Sequence, residues 1–204
     1  FTLPTDASGV INVVATANLE VGSYFLAVTA RGATAPAAFD LANVLRGLRV
    51  HKIGDGAGLL RSAPAGITCG LVCLADIRAG TVVTVTATPE SGSTIGGWEG
   101  CETPPVSAGG LAQRCRVTVQ EDTNLTTTFI LNQYPVEIRA VPEIGGFISG
   151  GGLYKHGYPV IVGAAPNPGY RFVNWTEQGS EVSAETHYEF TATVTRSLTA
   201  NFTT

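Results

Sequence analysis

The chain has 204 residues, a formal net charge of −4, 14% charged residues and 25 glycines. Its 12 Lys and Arg residues are scattered, so no basic stripe is available to neutralise phosphates, and we expect no nucleic-acid partner. No apolar run approaches the roughly 18 residues of a membrane span, so we expect no membrane insertion by this segment, while low charge with many β-branched residues, Gly and Pro predicts an all-β fold.

The first 46 residues contain three predicted strands separated by turns, and the chain opens inside what we interpret as a strand of a longer parent protein. The segments "TDASGVINVVATAN" (5–18), "VGSYFLAVTARG" (21–32) and "APAAFDLAN" (35–43) resemble the last three strands of a bacterial immunoglobulin-like domain. A complete sandwich of that kind needs about seven strands and 100 residues. The resemblance therefore implies a partial sandwich, completed by upstream chain or by another chain, with exposed apolar side chains along one face of residues 24–29.

The next segments alternate apolar and polar residues with the period of two that is typical of half-buried strands. The clearest examples are "TVVTVTATP" (81–89) and "YPVIVGAAP" (158–166). Each ends at a proline, which cannot donate a hydrogen bond to a sheet ladder. Gly clusters between such segments predict turns, and no segment has a sustained helical period. We therefore predict tandem small β modules.

Two of these modules are copies of each other, because one part of the chain repeats at a fixed offset. At a shift of 77 the matched pairs are Gly80 and Gly157, Val83 and Val160, Val85 and Val162, Ala87 and Ala164, Pro89 and Pro166, Gly92 and Gly169, and Trp98 and Trp175. The shift is 88 upstream and 73 downstream, so the first copy carries eleven extra residues before Gly80 and four after Trp98. The predicted domains are residues 1–46, 47–131 and 134–204.

All four cysteines lie in or beside the two insertions of the first copy. Three disulfide pairings are possible. We expect Cys69–Cys73 and Cys101–Cys115, because in this pairing each bridge closes its own inserted loop. A four-thiolate zinc site is the weaker interpretation, since thirteen residues separate the second pair. Disulfides predict an oxidising, extracellular location.

The repeated segments resemble a known family. "AGTVVTVTATPESGSTIGGWEG" (79–100) and "HGYPVIVGAAPNPGYRFVNWTE" (156–177), each followed by a T-x-x-F motif, resemble the divergent internalin B-type repeat of bacterial surface proteins. "SAPAGITCGLVC" (62–73) resembles a variant of that repeat. The resemblance implies β-rich modules in secreted or surface-anchored proteins, many of them adhesins. It implies no catalytic residues and no cofactor.

The candidate site residues each have a structural interpretation. We expect Trp98 and Trp175 to be core residues of the modules rather than sugar-stacking platforms. His51, His156 and His187 have no metal-like spacing, and residues 54–58 and 121–124 match no complete calcium loop, so we expect no metal site. Motifs of nucleophilic, zinc-dependent or phosphate-binding enzymes are absent from the sequence, so we expect no catalytic centre.

These observations predict a non-enzymatic extracellular stalk or spacer. The alternative is a module that binds carbohydrate or a host protein through the loops at 61–78 and 101–115. A third possibility is a fibre subunit whose half sandwich is completed by a neighbouring copy. The expected partners are therefore other copies of the chain or a host or cell-surface ligand.

Overall fold

The structure is a computed structural model that describes residues 7–8, 20–29, 34–64, 66–69 and 72–204. In these ranges the chain consists of β-strands, turns and one short 3-10 helix, which confirms the prediction of tandem small β modules. No helix in the described ranges is long and apolar enough to cross a bilayer.

The N-terminal described part is a hairpin of β1 (Gly22–Val28) and β2 (Ala37–Asn43), paired in antiparallel register. Phe39 is 52% exposed on one face, and Phe25 is 69% exposed on the other. Neither face of the hairpin is therefore fully covered. The expected preceding strand, at residues 10–18, lies outside the described residues.

The first module is built from two sheets. One sheet has the order β6-β3-β11-β8 and the other has the order β5-β4-β7-β10-β9. Neighbouring strands are antiparallel except for β3 and β11, which run parallel. The strand bounds are β3 (Leu45–Ile53), β4 (Gly58–Ala63), β5 (Thr68–Cys69), β6 (Val72–Arg78), β7 (Thr81–Pro89), β8 (Ser93–Glu99), β9 (Val106–Ser107), β10 (Gln113–Val119) and β11 (Thr123–Leu131).

The second module has the same plan. Its sheets have the orders β14-β12-β19-β16-β17 and β13-β15-β18, and again only the pair of first and last long strands, β12 and β19, is parallel. The strand bounds are β12 (Gln133–Val141), β13 (Gly146–Ser149), β14 (Gly152–Lys155), β15 (Pro159–Pro166), β16 (Arg171–Glu177), β17 (Ser180–Ser183), β18 (His187–Thr191) and β19 (Arg196–Thr203), and a 3-10 helix spans Glu143–Gly145.

Turn hydrogen bonds recur at the offsets found in the sequence. The Gly80 amide donates to the Val119 carbonyl at 2.7 Å, and the Gly157 amide donates to the Ala192 carbonyl at 2.8 Å. Both glycines have positive φ angles, +82° and +83°, which only glycine adopts without strain. The repeat therefore extends to individual backbone bonds.

The alternation of each central strand sorts its residues between core and surface. In β7, Val83, Val85 and Ala87 are buried, and β15 buries the equivalent Val160, Val162 and Ala164. Removing these apolar side chains from water is the main stabilising contribution to such small modules. The period-two prediction is confirmed for both strands.

Gly58 and Gly146, which match at the shift of 88, pack in the same way against the phenylalanine of each T-x-x-F motif. A Cβ atom at Gly58 would lie 2.0 Å from the Phe129 ring, and one at Gly146 would lie 2.5 Å from the Phe202 ring. The phenylalanine of each T-x-x-F motif therefore occupies the space that a side chain would need at the glycine. This contact links β4 to β11 in the first module and β13 to β19 in the second.

The two tryptophans occupy equivalent places on the backbone. Trp98 lies opposite Thr127 of β11, and Trp175 lies opposite the equivalent Ala200 of β19. Trp175 is completely buried, whereas Trp98 is half-buried and packs against the edge of the first core. The second module therefore encloses its tryptophan more fully.

Candidate functional site at the joint between the modules

The connection between the modules is a single residue, Asn132, between β11 and β12. Its amide donates to the carbonyl of Gly92 in the first module at 2.8 Å. Its carbonyl accepts from the amide of His156 in the second module, also at 2.8 Å. One residue is thus held on both sides by backbone bonds, which leaves little freedom for the linker.

An ion pair crosses the same joint. The Asp55 carboxylate accepts from the Leu131 amide at 3.0 Å through Oδ1 and from Lys155 Nζ at 2.6 Å through Oδ2. The hydrogen bond from Lys155 to Asp55 is the main cause that lowers the pKa of Asp55, and the same bond is the main cause that raises the pKa of Lys155. Both side chains are about two-fifths exposed, 42% and 43%, so this pair orients the modules more than it stabilises them.

The third element of the joint is the His156 ring. Gly92 has a φ angle of +74°, and a Cβ atom there would lie 2.0 Å from His156 Cδ2. The Tyr134 ring is 5.9 Å from the imidazole, centroid to centroid. The imidazole therefore fills the space left by the missing side chain of Gly92, and a larger residue there would push the modules apart.

The connection before the first module uses the same backbone bond. The Ala79 amide donates to the Val44 carbonyl at 2.9 Å, and these residues are the equivalents of His156 and Asn132. The turn after β6 thus binds Val44, which leads into the first module, in the same way as the turn after β14 binds Asn132, which leads into the second.

The inserted loop of the first module is closed by the Cys101–Cys115 disulfide, with an S–S distance of 2.05 Å and a Cα–Cα distance of 5.5 Å. This half of the predicted pairing is confirmed. Cys73 is also disulfide-bonded. Its expected partner is Cys69, whose side chain lies outside the described part, so the Cys69–Cys73 bridge stays a prediction.

The second module has a noncovalent cluster where the first has the Cys101–Cys115 bridge. Tyr188 stands at the place of Cys115, and Glu177 precedes the place of Cys101. Arg196 donates to Glu177 Oε2 from Nη2 at 2.6 Å and to the Tyr188 hydroxyl from Nη1 at 3.0 Å. Its guanidinium also lies 4.3 Å from the Phe190 ring centroid. The two modules therefore tie the same strands together by different chemistry.

We expect this cluster to make the second module sensitive to acid. The hydrogen bond from Arg196 is the main cause that lowers the pKa of Glu177 below its ordinary value of 4.5. A lowered folded-state pKa means that the contribution is complete above pH 4.5 and is lost as the pH falls through the folded-state value.

The measurement is urea unfolding of the second module between pH 7 and pH 3, for the native chain and for Glu177→Gln. At pH 7 the native module should be more stable by about 1–3 kcal/mol, the cost of losing charged hydrogen bonds. The difference should shrink below pH 4.5. A difference that stays constant down to pH 3 would contradict the assignment.

The acidic residues of the two candidate calcium loops have structural roles. The Asp122 carboxylate accepts from the Gly47 amide at 2.9 Å, which is turn chemistry rather than calcium ligation. Asp55, the acid of the other candidate calcium loop, belongs to the joint. Among the described residues, no group of three or more His, Cys, Asp or Glu side chains could hold a metal ion.

The short linker at residues 131–133 could be predicted from the sequence, but the contacts across the joint could not, because residues 54–58 stood out only as a calcium candidate and His156 only as a possible metal ligand. The signal that the sequence did offer was the position of these residues relative to the strands and turns. Lys155 is the last residue of β14, which pairs with β12, His156 follows it, and Gly92 is one of the repeated glycines.

A family model described as "Divergent InlB B-repeat domain" matches residues 66–133 and 136–204, about two-thirds of the chain. No curated protein matches the chain. The first match begins after β3 and β4, although β3 pairs with β6 and β11 in the first module. The match supports the repeats but does not extend to residues 1–46, whose immunoglobulin-like identity stays a prediction.

Proposed function

Because the chain belongs to the divergent InlB B-repeat family, we propose that it is a non-enzymatic, extracellular stalk or spacer segment of an adhesin-like bacterial surface or secreted protein. The observation that carries this proposal is the joint at Asn132. A spacer keeps its two ends a fixed distance apart only if its modules resist bending relative to each other.

Three kinds of contact supply that resistance. The backbone bonds of Asn132 fix the linker, the Asp55–Lys155 pair spans the modules, and His156 fills the space above Gly92. A one-residue linker has almost none of the slack of a flexible tether. The side-chain contacts of Lys155 and His156 restrict rotation about the linker as well.

Two further features support the extracellular location. Structural disulfides are typical of oxidising environments and rare in reducing ones, and the first module contains the Cys101–Cys115 bridge. Repeats of this type are also typical of surface proteins.

The absence of an enzymatic role is part of the proposal. In the described ranges the clear pKa shifts belong to two ion pairs, Asp55–Lys155 and Glu177–Arg196. Both pairs are accounted for by structural contacts, one between the modules and one between strands. Neither is positioned as a free acid or base in a closed pocket.

Replacing Gly92 by alanine should make the joint flexible, because the added methyl group would overlap the His156 ring. The measurement is the set of residual dipolar couplings of both modules in one alignment medium. Modules that move as one body report a single alignment tensor. The native chain should show one tensor, and Gly92→Ala should show two.

Gly169→Ala is the matched control. Gly169 is the equivalent of Gly92 in the second module and has a similar φ angle of +86°, but a Cβ atom added there would meet no atom within 4 Å. It carries the same backbone strain without the overlap. The control should keep a single tensor. Separate tensors in the native chain would refute the spacer proposal.

A second candidate function is recognition of a host protein by the disulfide-closed loop. Val106 is 58% exposed and Leu111 is 64% exposed within residues 101–115. Exposed apolar side chains on a restrained loop suit a protein contact. If Val106→Ser with Leu111→Ser abolishes adhesion to host cells while the joint stays rigid, this function is favoured over a passive spacer.

A further inference from the structure

The far end of the second module has the same turn structure as the end of the first module that forms the joint. The Glu90 amide donates to the Ala57 carbonyl at 2.9 Å, and the equivalent Asn167 amide donates to the Gly145 carbonyl at 3.0 Å. The amides that close these turns, those of Ser93 and Tyr170, also bond alike, at 3.0 and 2.9 Å. The two ends therefore present the same backbone frame.

The two ends differ in whether the space above the glycine is filled. At Gly92 the space above the glycine contains the His156 ring of the following module, whereas at Gly169 no described atom fills the same space. The φ angles of the two glycines differ by only 12°, +74° and +86°. We call this turn, together with the space above its glycine, the seat. The seat at Gly92 is filled by the next module, and the equivalent seat at Gly169 is open.

The surroundings of the open seat are also suited to a module. Glu143 stands at the place of Asp55 and supplies the carboxylate that would pair with a lysine. Ile144 stands at the place of Gly56 and is 68% exposed. An exposed isoleucine beside an unfilled seat gives the surface an apolar area that a docked module would cover.

We propose that this end is a docking surface for a further β module of the same kind. The lysine and histidine of its turn, equivalent to Lys155 and His156, would pair with Glu143 and fill the space above Gly169. The residue that enters the docked module would donate its amide to the Gly169 carbonyl, as Asn132 does at Gly92. This inference rests on the proposed spacer function, because it makes the joint a repeating unit.

The two seats are not identical. Pro142 replaces Gly54, and the following residues form the 3-10 helix Glu143–Gly145. Glutamate is one methylene longer than aspartate and can reach a lysine from a different backbone position. The docked module would therefore keep the contacts of the first joint with a somewhat different angle between modules.

The test is a chain with a copy of residues 132–204 appended after Thr204. Residual dipolar couplings should give one alignment tensor for all three modules. In this chain Gly169→Ala should release the appended module while the first joint stays rigid, and Glu143→Gln, which removes an orienting contact, should change the angle between the appended module and the second module. Gly92→Ala should release the first joint while the second stays rigid. Glu143→Gln adds no backbone strain, so it tests the seat even if Gly169→Ala perturbs folding.

The outcomes separate this inference from the function it rests on. If the appended module reports its own tensor while the first two share one, the docking surface is refuted and the spacer function stands. If the first two modules already report separate tensors, the spacer function fails. Concentration-dependent dimerisation of the unextended chain that Glu143→Gln abolishes would show a second copy as the occupant and would also overturn the proposal.

Discussion

Replacing Trp175 by alanine is expected to lower the free energy of unfolding of the second module by about 3–5 kcal/mol, the usual cost of deleting a buried aromatic side chain. Trp175 has no exposed surface, and its ring lies 6.0 Å from that of Phe172. A module of about 70 residues has only roughly 4–10 kcal/mol of stability in total. The variant should therefore leave the second module close to unfolding.

The measurement is amide hydrogen exchange at two matched reporters. The Gly157 amide reports the second module through its bond to Ala192, and the Gly80 amide reports the first through its bond to Val119. Trp175→Ala should accelerate exchange at Gly157 and leave Gly80 nearly unchanged. The control, Trp98→Ala, should affect Gly80 and by less, because Trp98 is only half-buried. Equal losses would contradict this assignment.

Removing the Cys101–Cys115 bridge, by changing both cysteines to alanine, should destabilise the first module by about 3 kcal/mol. A cross-link that closes a loop of about 15 residues restricts the unfolded chain by roughly that amount. The two cysteines are 14 positions apart. Cys115 is also completely buried, so the lost sulfur adds to the effect.

Urea unfolding followed at the same two amides measures this loss. The Gly80 transition should move to lower urea, whereas the Gly157 transition should not, because the second module holds the equivalent strands with Arg196, Glu177 and Tyr188. A reducing agent should act on the native chain in the same selective way. If both modules lose stability together, the bridge does not act within the first module alone.

Much of the fold could be predicted because its signals are local. Alternation along residues 81–89 and 158–166 follows from the geometry of a strand with one face buried, and the structure has the buried residues where that period places them. Gly80 and Gly157 occupy positive-φ turns that favour glycine whatever surrounds them. The Cys101–Cys115 pairing followed from comparing two copies within one chain.

The sequence by itself determined that this protein contains two related β modules and that the first has a loop closed by a disulfide. Repeats, alternation and cysteine positions are properties of short segments, so they can be read without the fold. Only the tertiary structure decided how the modules are joined. Asp55 and Lys155 are 100 positions apart, and Arg196 of β19 binds Glu177 of the neighbouring strand β16, 19 positions away. Such contacts depend on where the packed sheets bring distant turns together, and neither periodicity nor spacing along the chain encodes that distance.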